Sequence, residues 1–125
     1  MSTFQKINSS ERPQRPIYSH AVKVPGLVFL SGQTPVDKEG KVVPGDIQAH
    51  TQQCISNLTD VLTAAGSSWD KVVKVNVYLK NMDDFETMNT RYVECIPEPR
   101  PARTCIQAGK LPGDVDIEIE AIAAI

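Results

Sequence analysis

The chain has no run of lysine or arginine, no apolar stretch of membrane-spanning length and no closely paired cysteines. Each absence excludes something. Lys and Arg number 13 against 15 Asp and Glu, a formal net charge of -2. A protein that lives by holding nucleic acid usually carries a basic face, and none is readable here. Aromatic residues make up only 6% and do not interleave with basic ones, which argues against strong RNA affinity. A membrane-spanning helix needs about 20 apolar residues, and no stretch approaches that. The three cysteines, Cys54, Cys95 and Cys105, are odd in number and lack Cys-x-x-Cys spacing. This argues against a disulfide framework and for a reducing compartment. Met1 to Arg12 carries no apolar run of the signal-peptide kind, and Lys6, Glu11 and Arg12 match an Arg-rich transit peptide poorly. The expectation is a cytosolic protein, with a mitochondrial or nuclear pool left open. No Gly-rich phosphate loop and no His-x-x-x-His occurs. His20 and His50 stand alone, so neither a metal site nor a Ser-His-Asp triad is expected.

What is present reads as one domain, residues 1–125, with 41% hydrophobic and 22% charged residues, an ordinary globular balance. Phe4 to Ile7 and Tyr18 to Val24 read as extended, then Pro25-Gly26 as a turn, and Leu27 to Leu30 as strand. Thr34 to Gly45 reads as loop, with an extended piece at Lys41 to Val43. Asp46 is placed to cap a helix whose stripe is Ile47, Thr51, Ile55, Leu58, Leu62 and Ala65, widened by Cys54 and Val61. Gly66 ends it. Val72 to Lys80 alternates, with Val73, Val75, Val77 and Leu79 on one face. A second helix, capped by Asn81 or Asp83, carries Phe85, Met88, Tyr92 and Ile96, and stops before Pro97 and Pro99. Two strands follow, Arg103 to Gly109 and Val115 to Ile125. The order implies an α+β architecture: one mixed sheet with two helices on one face.

The uncovered face of that sheet is where unusual polar residues gather: Glu118 and Glu120 in the last strand, Asn76 and Tyr78 in the middle one. In the strand between, Thr104, Ile106 and Ala108 look the better core set. Parity therefore puts Arg103, Cys105 and Gln107 on the uncovered side. Such a face is either solvated, with weak ion pairs, or covered by another subunit. Asn89 falls on the apolar stripe of the second helix, either as a satisfied structural amide or as part of a site. His50 is expected at the surface; His20, with the parity of Tyr18, lines the same site or faces solvent. Cys105 reads as a small apolar residue before a nucleophile.

Arg100-Pro101-Ala102-Arg103-Thr104-Cys105, Leu111-Pro112 and Ile117-Glu118-Ile119-Glu120-Ala121-Ile122-Ala123 resemble the signature of the RidA/YjgF reactive-intermediate deaminases, also called the L-PSP endoribonuclease family. Tyr18-Ser19-His20-Ala21, Ser31-Gly32-Gln33, Val73 to Val77 and Phe85 to Tyr92 extend the resemblance along nearly the whole chain. It departs at Arg15-Pro16-Ile17, where Gly-Pro often precedes the tyrosine, at His20, where Gln is common, and at Gly109, often Ala. The resemblance implies a chorismate-mutase-like subunit, a homotrimer with a central β-barrel, and clefts each lined by two chains. It implies hydrolysis of 2-imino acids or their enamines, such as 2-iminopropanoate and 2-iminobutanoate, to 2-keto acids and ammonia, without metal or organic cofactor. Position by position, it makes Arg103 the grip on the substrate carboxylate and Glu118 the carboxylate that orients water. Tyr18, Gly32, Asn89 and Cys105 become substrate contacts. Two alternatives come with the family: a ribonuclease or translation inhibitor, and a non-catalytic metabolite sensor.

Overall fold

The computed structural model describes residues 3–125. In chain order the elements are β1 (Gln5–Ile7), β2 (Ala21–Val24), β3 (Leu27–Gln33), α1 (Ile47–Ala65), β4 (Val72–Leu79), α2 (Phe85–Cys95), β5 (Ala102–Gln107) and β6 (Ile117–Ala124). The strands form one sheet in the order β1-β2-β3-β6-β4-β5. Every neighbouring pair is antiparallel except β4 with β5. A parallel pair needs a crossover, and α2 supplies it. This is the α+β arrangement of one mixed sheet and two helices that the element order implied.

Helix α1 forms for the reasons its sequence displays. Asp46 Oδ1 accepts the Ala49 amide at 3.0 Å, and Gly66 closes the helix in the left-handed region at φ 79°. All eight stripe residues are buried, and so is Asn57, which the stripe did not single out. Alternate residues of β4 and β6, among them Val75, Val77, Leu79, Ile117, Ile119 and Ala121, join both helices in one hydrophobic core. Their neighbours Asn76, Tyr78, Glu118 and Glu120 are half-buried on the other side.

Four local expectations change. Val73 is exposed and Val72 takes its place in the core, because the β4–β6 register shifts between Val72 and Lys74 and a bulge reverses parity. Strand β2 starts at Ala21 rather than Tyr18. Pro16 has no amide to give a ladder, and Arg15 and Tyr18 pair with each other across a tight turn instead. Strand β3 runs on to Gln33 through an irregularity opposite β6 between Leu30 and Gln33, with Gly32 inside it. Asn81 caps the short 3-10 turn Met82–Asp84, accepting from the Asp83 amide, rather than α2 itself.

Candidate functional site

Among the expected site residues, Arg103 departs from its sequence expectation. It pairs with Val75, and Cys105 pairs with Val77, across the parallel β4–β5 ladder. Directly paired residues project to the same face, so Arg103 and Cys105 lie on the helix side of the sheet, not the uncovered side. Ile106, the supposed core residue, is 48% exposed. The physical reason is that β5 is the edge strand, where the rim of α2 accommodates a guanidinium and full burial of β5 is not required. There Arg103 Nη1 donates to Asn89 Oδ1 at 2.7 Å. Its Cζ lies 4.8 Å from the Tyr92 ring centroid and 5.6 Å from that of Phe85. Two aromatic faces and one amide thus orient the guanidinium. An arginine has five N–H donors, so most of this fork stays available to an incoming carboxylate. Asn89 is half-buried, and its amide oxygen is the acceptor that holds Arg103. Burial pushes the Cys105 thiol pKa up, against the opposing pull of Arg103. This favours a neutral thiol over a nucleophilic thiolate. Burial also raises the Tyr92 phenol, whose oxygen is buried without a hydrogen-bond partner.

Glu118 stands in a second constellation. It pairs with Tyr78 across β6–β4, and Tyr78 pairs with Ile106, so all three face the uncovered side. Glu120 is engaged there, accepting from Asn76 Nδ2 at 3.1 Å and from the Tyr78 hydroxyl. That bond to Glu120 leads the causes that push the Tyr78 phenol up to about 12. Among the described residues Glu118 has no such bond. Burial first, and the Glu120 charge second, raise its carboxyl pKa from the ordinary value. Gly32 lies against it: a Cβ built there falls 2.5 Å from Glu118 Oε2. Glu118, Gly32 and Tyr18 line one cleft of about 280 Å³ with Arg15, His20 and Pro112.

The walls of that cleft are held by residues that sequence reasoning missed or misplaced. His20 is 1% exposed: Nδ1 accepts the Ser9 amide at 2.9 Å and Nε2 donates to the Pro13 carbonyl at 2.9 Å. The Ser9 amide can only donate, which assigns the tautomer. His20 therefore neither faces solvent nor offers a free ring nitrogen; it pins the N-terminal segment that forms one wall. Arg12 is buried, bonded to the Val36 carbonyl and 3.4 Å from Asp60. Asn57 Nδ2 donates to the carbonyls of Thr34 and Val36, tying the opposite wall to α1. His50 is not a surface residue either. Its Nδ1 meets Asp116 at 2.8 Å and its Nε2 the Val43 carbonyl at 2.8 Å.

Tyr18, Gly32 and Glu118 are thus brought together, and so are Asn89, Arg103 and Cys105, but the two groups do not meet within one chain. Val75 joins Arg103 to Ala121 on the helix side, while Tyr78 joins Ile106 to Glu118 on the other. Among the described residues no group of three or more His, Cys, Asp or Glu is arranged to hold a metal. Among the same residues no helix is long and apolar enough to cross a membrane.

Residues 10–125 match the profile of the family described as endoribonuclease L-PSP. The mitochondrial protein mmf2 of Schizosaccharomyces pombe is 51% identical over 121 residues, covering 94% of this chain and 95% of the relative. The chloroplastic Reactive Intermediate Deaminase A of Arabidopsis thaliana is 39% identical over 109 residues, covering 86% of this chain and 58% of the relative. The crystal structure of yeast Mmf1 superposes with a TM-score of 0.94 at 35% identity, over 98% of both chains.

Proposed function

The chain belongs to the endoribonuclease L-PSP (YjgF/RidA) family, and from that premise we propose that it hydrolyses reactive 2-imino acids and their enamine tautomers to 2-keto acids and ammonia. The observation that carries this reading is the division of the site into complementary halves. One half holds a guanidinium with free donors, on Asn89, Phe85 and Tyr92. The other holds an unpaired, half-buried carboxylate with a raised pKa, in a cleft. A second copy that brings its Arg103 edge to the first copy's Glu118 cleft completes the set. We accordingly propose a homotrimer whose uncovered sheet faces close a central barrel, with one such cleft at each seam.

The chemistry asks little beyond positioning. An imine hydrolyses in water unaided, so holding reactants accounts for most of the acceleration. Arg103 takes the substrate carboxylate in a bidentate grip that lysine does not reproduce. Glu118 accepts a proton from the attacking water as its oxygen bonds to the imine carbon. The nitrogen, protonated, leaves as ammonia when the carbinolamine collapses, and the carbonyl forms. A carboxyl raised toward the working pH suits that exchange. Tyr18 and Gly32 shape the space beside Glu118, and Cys105 lends backbone groups to the ligand. The reaction needs no metal or cofactor. The cytosol remains the proposed location, and the mitochondrial relative in fission yeast supports a mitochondrial pool beside it.

The test couples a serine or threonine dehydratase to this protein and follows keto-acid release from 2-iminopropanoate or 2-iminobutanoate. Arg103→Ala and Glu118→Gln each abolish the acceleration. Mixed at equal amounts and reassembled, the two variants regain roughly a quarter of wild-type activity, because that share of seams pairs an intact Arg103 with an intact Glu118. No recovery on mixing refutes the shared site. No acceleration by wild type favours a metabolite sensor, and RNA cleavage surviving both substitutions points to a separate nuclease site.

A further inference from the structure

We propose that Arg15 is a specificity residue that makes this cleft prefer ligands with a second anionic group, the 2-imino and 2-keto dicarboxylates. The inference rests on the imine-hydrolase reading for the site's location, and deepens it by naming a substrate class.

The turn containing Arg15 starts the argument. Arg15 and Tyr18 pair across an antiparallel bridge, with Pro16 and Ile17 at the tip. Proline fixes its own φ near the value that the first central position of a tight turn needs. Residues opposed across an antiparallel pair project to the same face, with Cβ atoms about 5 Å apart. Arg15 and Tyr18 therefore point together, and both line the Glu118 cleft. The segment before them is anchored, since Pro13 accepts from the buried His20 ring. The guanidinium is thus carried on a tethered turn rather than on a loose tail.

Its charge is also uncommitted. The other arginine of this cleft, Arg12, is buried and spends its donors on Glu11, Val36 and Asp60. Arg15 is exposed, and among the described residues its side chain has no hydrogen-bond or ion-pair partner. Glu118 does not neutralise it: the influences on that carboxyl are burial and Glu120. The cleft volume of about 280 Å³ corresponds to about nine water molecules at roughly 30 Å³ each. That leaves room beyond a three-carbon imino acid for a longer side chain. Arg103, in the complementary half, grips the first carboxylate; Arg15 meets the second.

Binding and turnover are measured separately. Calorimetry on the full-length protein compares two stable keto acids, 2-oxobutanoate and 2-oxoglutarate. Wild type favours 2-oxoglutarate at low ionic strength, and the preference shrinks in salt. Arg15→Ala lowers the affinity ratio about tenfold, which is about 1.4 kcal/mol. Arg15→Glu lowers it further, and Arg15→Lys keeps most of it. Equal affinities in wild type, or an unchanged ratio in Arg15→Ala, overturn the proposal. In the second arm, imines of alanine and glutamate are generated by an amino-acid oxidase and their hydrolysis is followed. If neither reaction is accelerated, imine hydrolysis fails as a function. An Arg15-dependent binding preference then still stands as ligand selection, so the two failures are distinguishable.

Discussion

Gly32→Ala tests the position of Glu118 without touching its charge. The added Cβ lies 2.5 Å from Glu118 Oε2, 3.0 Å from Cδ and 3.1 Å from Cγ. Comfortable contact starts near 3.5 Å, so the carboxylate must retreat by about 1 Å. Gly32 does not adopt a positive φ, so the methyl group adds no backbone strain. Glu118 is half-buried and can swing aside, at a cost of about 0.5–1.5 kcal/mol if it leaves a staggered rotamer. Melting temperature then drops by a few degrees at most. Catalysis is far less forgiving, since a displacement of about 1 Å in a positioned group costs roughly a hundredfold in rate. Gly32→Ala is therefore expected to lose about two orders of magnitude in kcat/KM for 2-iminopropanoate, about 2.7 kcal/mol of transition-state stabilisation. Light scattering should report unchanged assembly, and thermal unfolding a small shift. Wild-type kcat/KM in a correctly assembled Gly32→Ala protein would refute the role given to Glu118, because no geometry-dependent water activation survives that displacement.

Three further outcomes follow from the same geometry. The Glu118 carboxyl is raised above its reference 4.5 by burial and Glu120. The folded state therefore holds this proton to higher pH than the unfolded chain, and stability present below about pH 4.5 is lost as pH rises through the folded value. Glu118→Gln should be inactive yet more stable than wild type near pH 7, with the advantage gone near pH 4; urea denaturation at both pH values decides it. Tyr78, raised from 10.0 to about 12, should contribute a loss of stability between those pH values that Tyr78→Phe lacks, read from unfolding midpoints in alkaline buffers. Asn57→Ala removes both Nδ2 bonds that tie the Thr34 and Val36 carbonyls to α1, and should cost about 1–3 kcal/mol, seen as a lower urea midpoint at unchanged slope.

How far the molecule was readable from its sequence depends on whether the deciding interaction is local. Helix α1 was readable from end to end, because Asp46, the apolar spacing and Gly66 act within a few residues of each other. The outward face of β6 was readable as well, since Ile117, Ile119 and Ala121 alternate cleanly with Glu118 and Glu120. Strand β5 was not. Its six residues offer two plausible faces, and the choice between them is made by the pairing of Val75 with Arg103, a partner 28 residues away in the chain (103 − 75). The bulge at Val73 escaped for the same reason. So did the polar anchors His50 and Asn57, whose partners Asp116 and Thr34 lie on distant loops, and His20, whose partners sit in the irregular segment before it.

The misread face changes what the protein can be. With Arg103 beside Glu118 on one face of the sheet, a single chain would hold both the carboxylate grip and the water-activating carboxylate. With Arg103 bound to Asn89 on the helix side, and Glu118 in a cleft on the other, a lone subunit offers only one of them to any given ligand. Each half is separately well built. Arg103 is stacked and oriented; Glu118 is desolvated and free. Orienting a guanidinium costs side-chain entropy, and leaving a half-buried carboxylate unpaired costs desolvation energy. Within the monomer the bond to Asn89 and the two ring contacts offset part of the first cost, while nothing among the described residues offsets the second. In the homotrimer proposed above, a second copy joins the halves and converts both into substrate binding and proton transfer, which makes assembly part of the proposed reaction site rather than an addition to it.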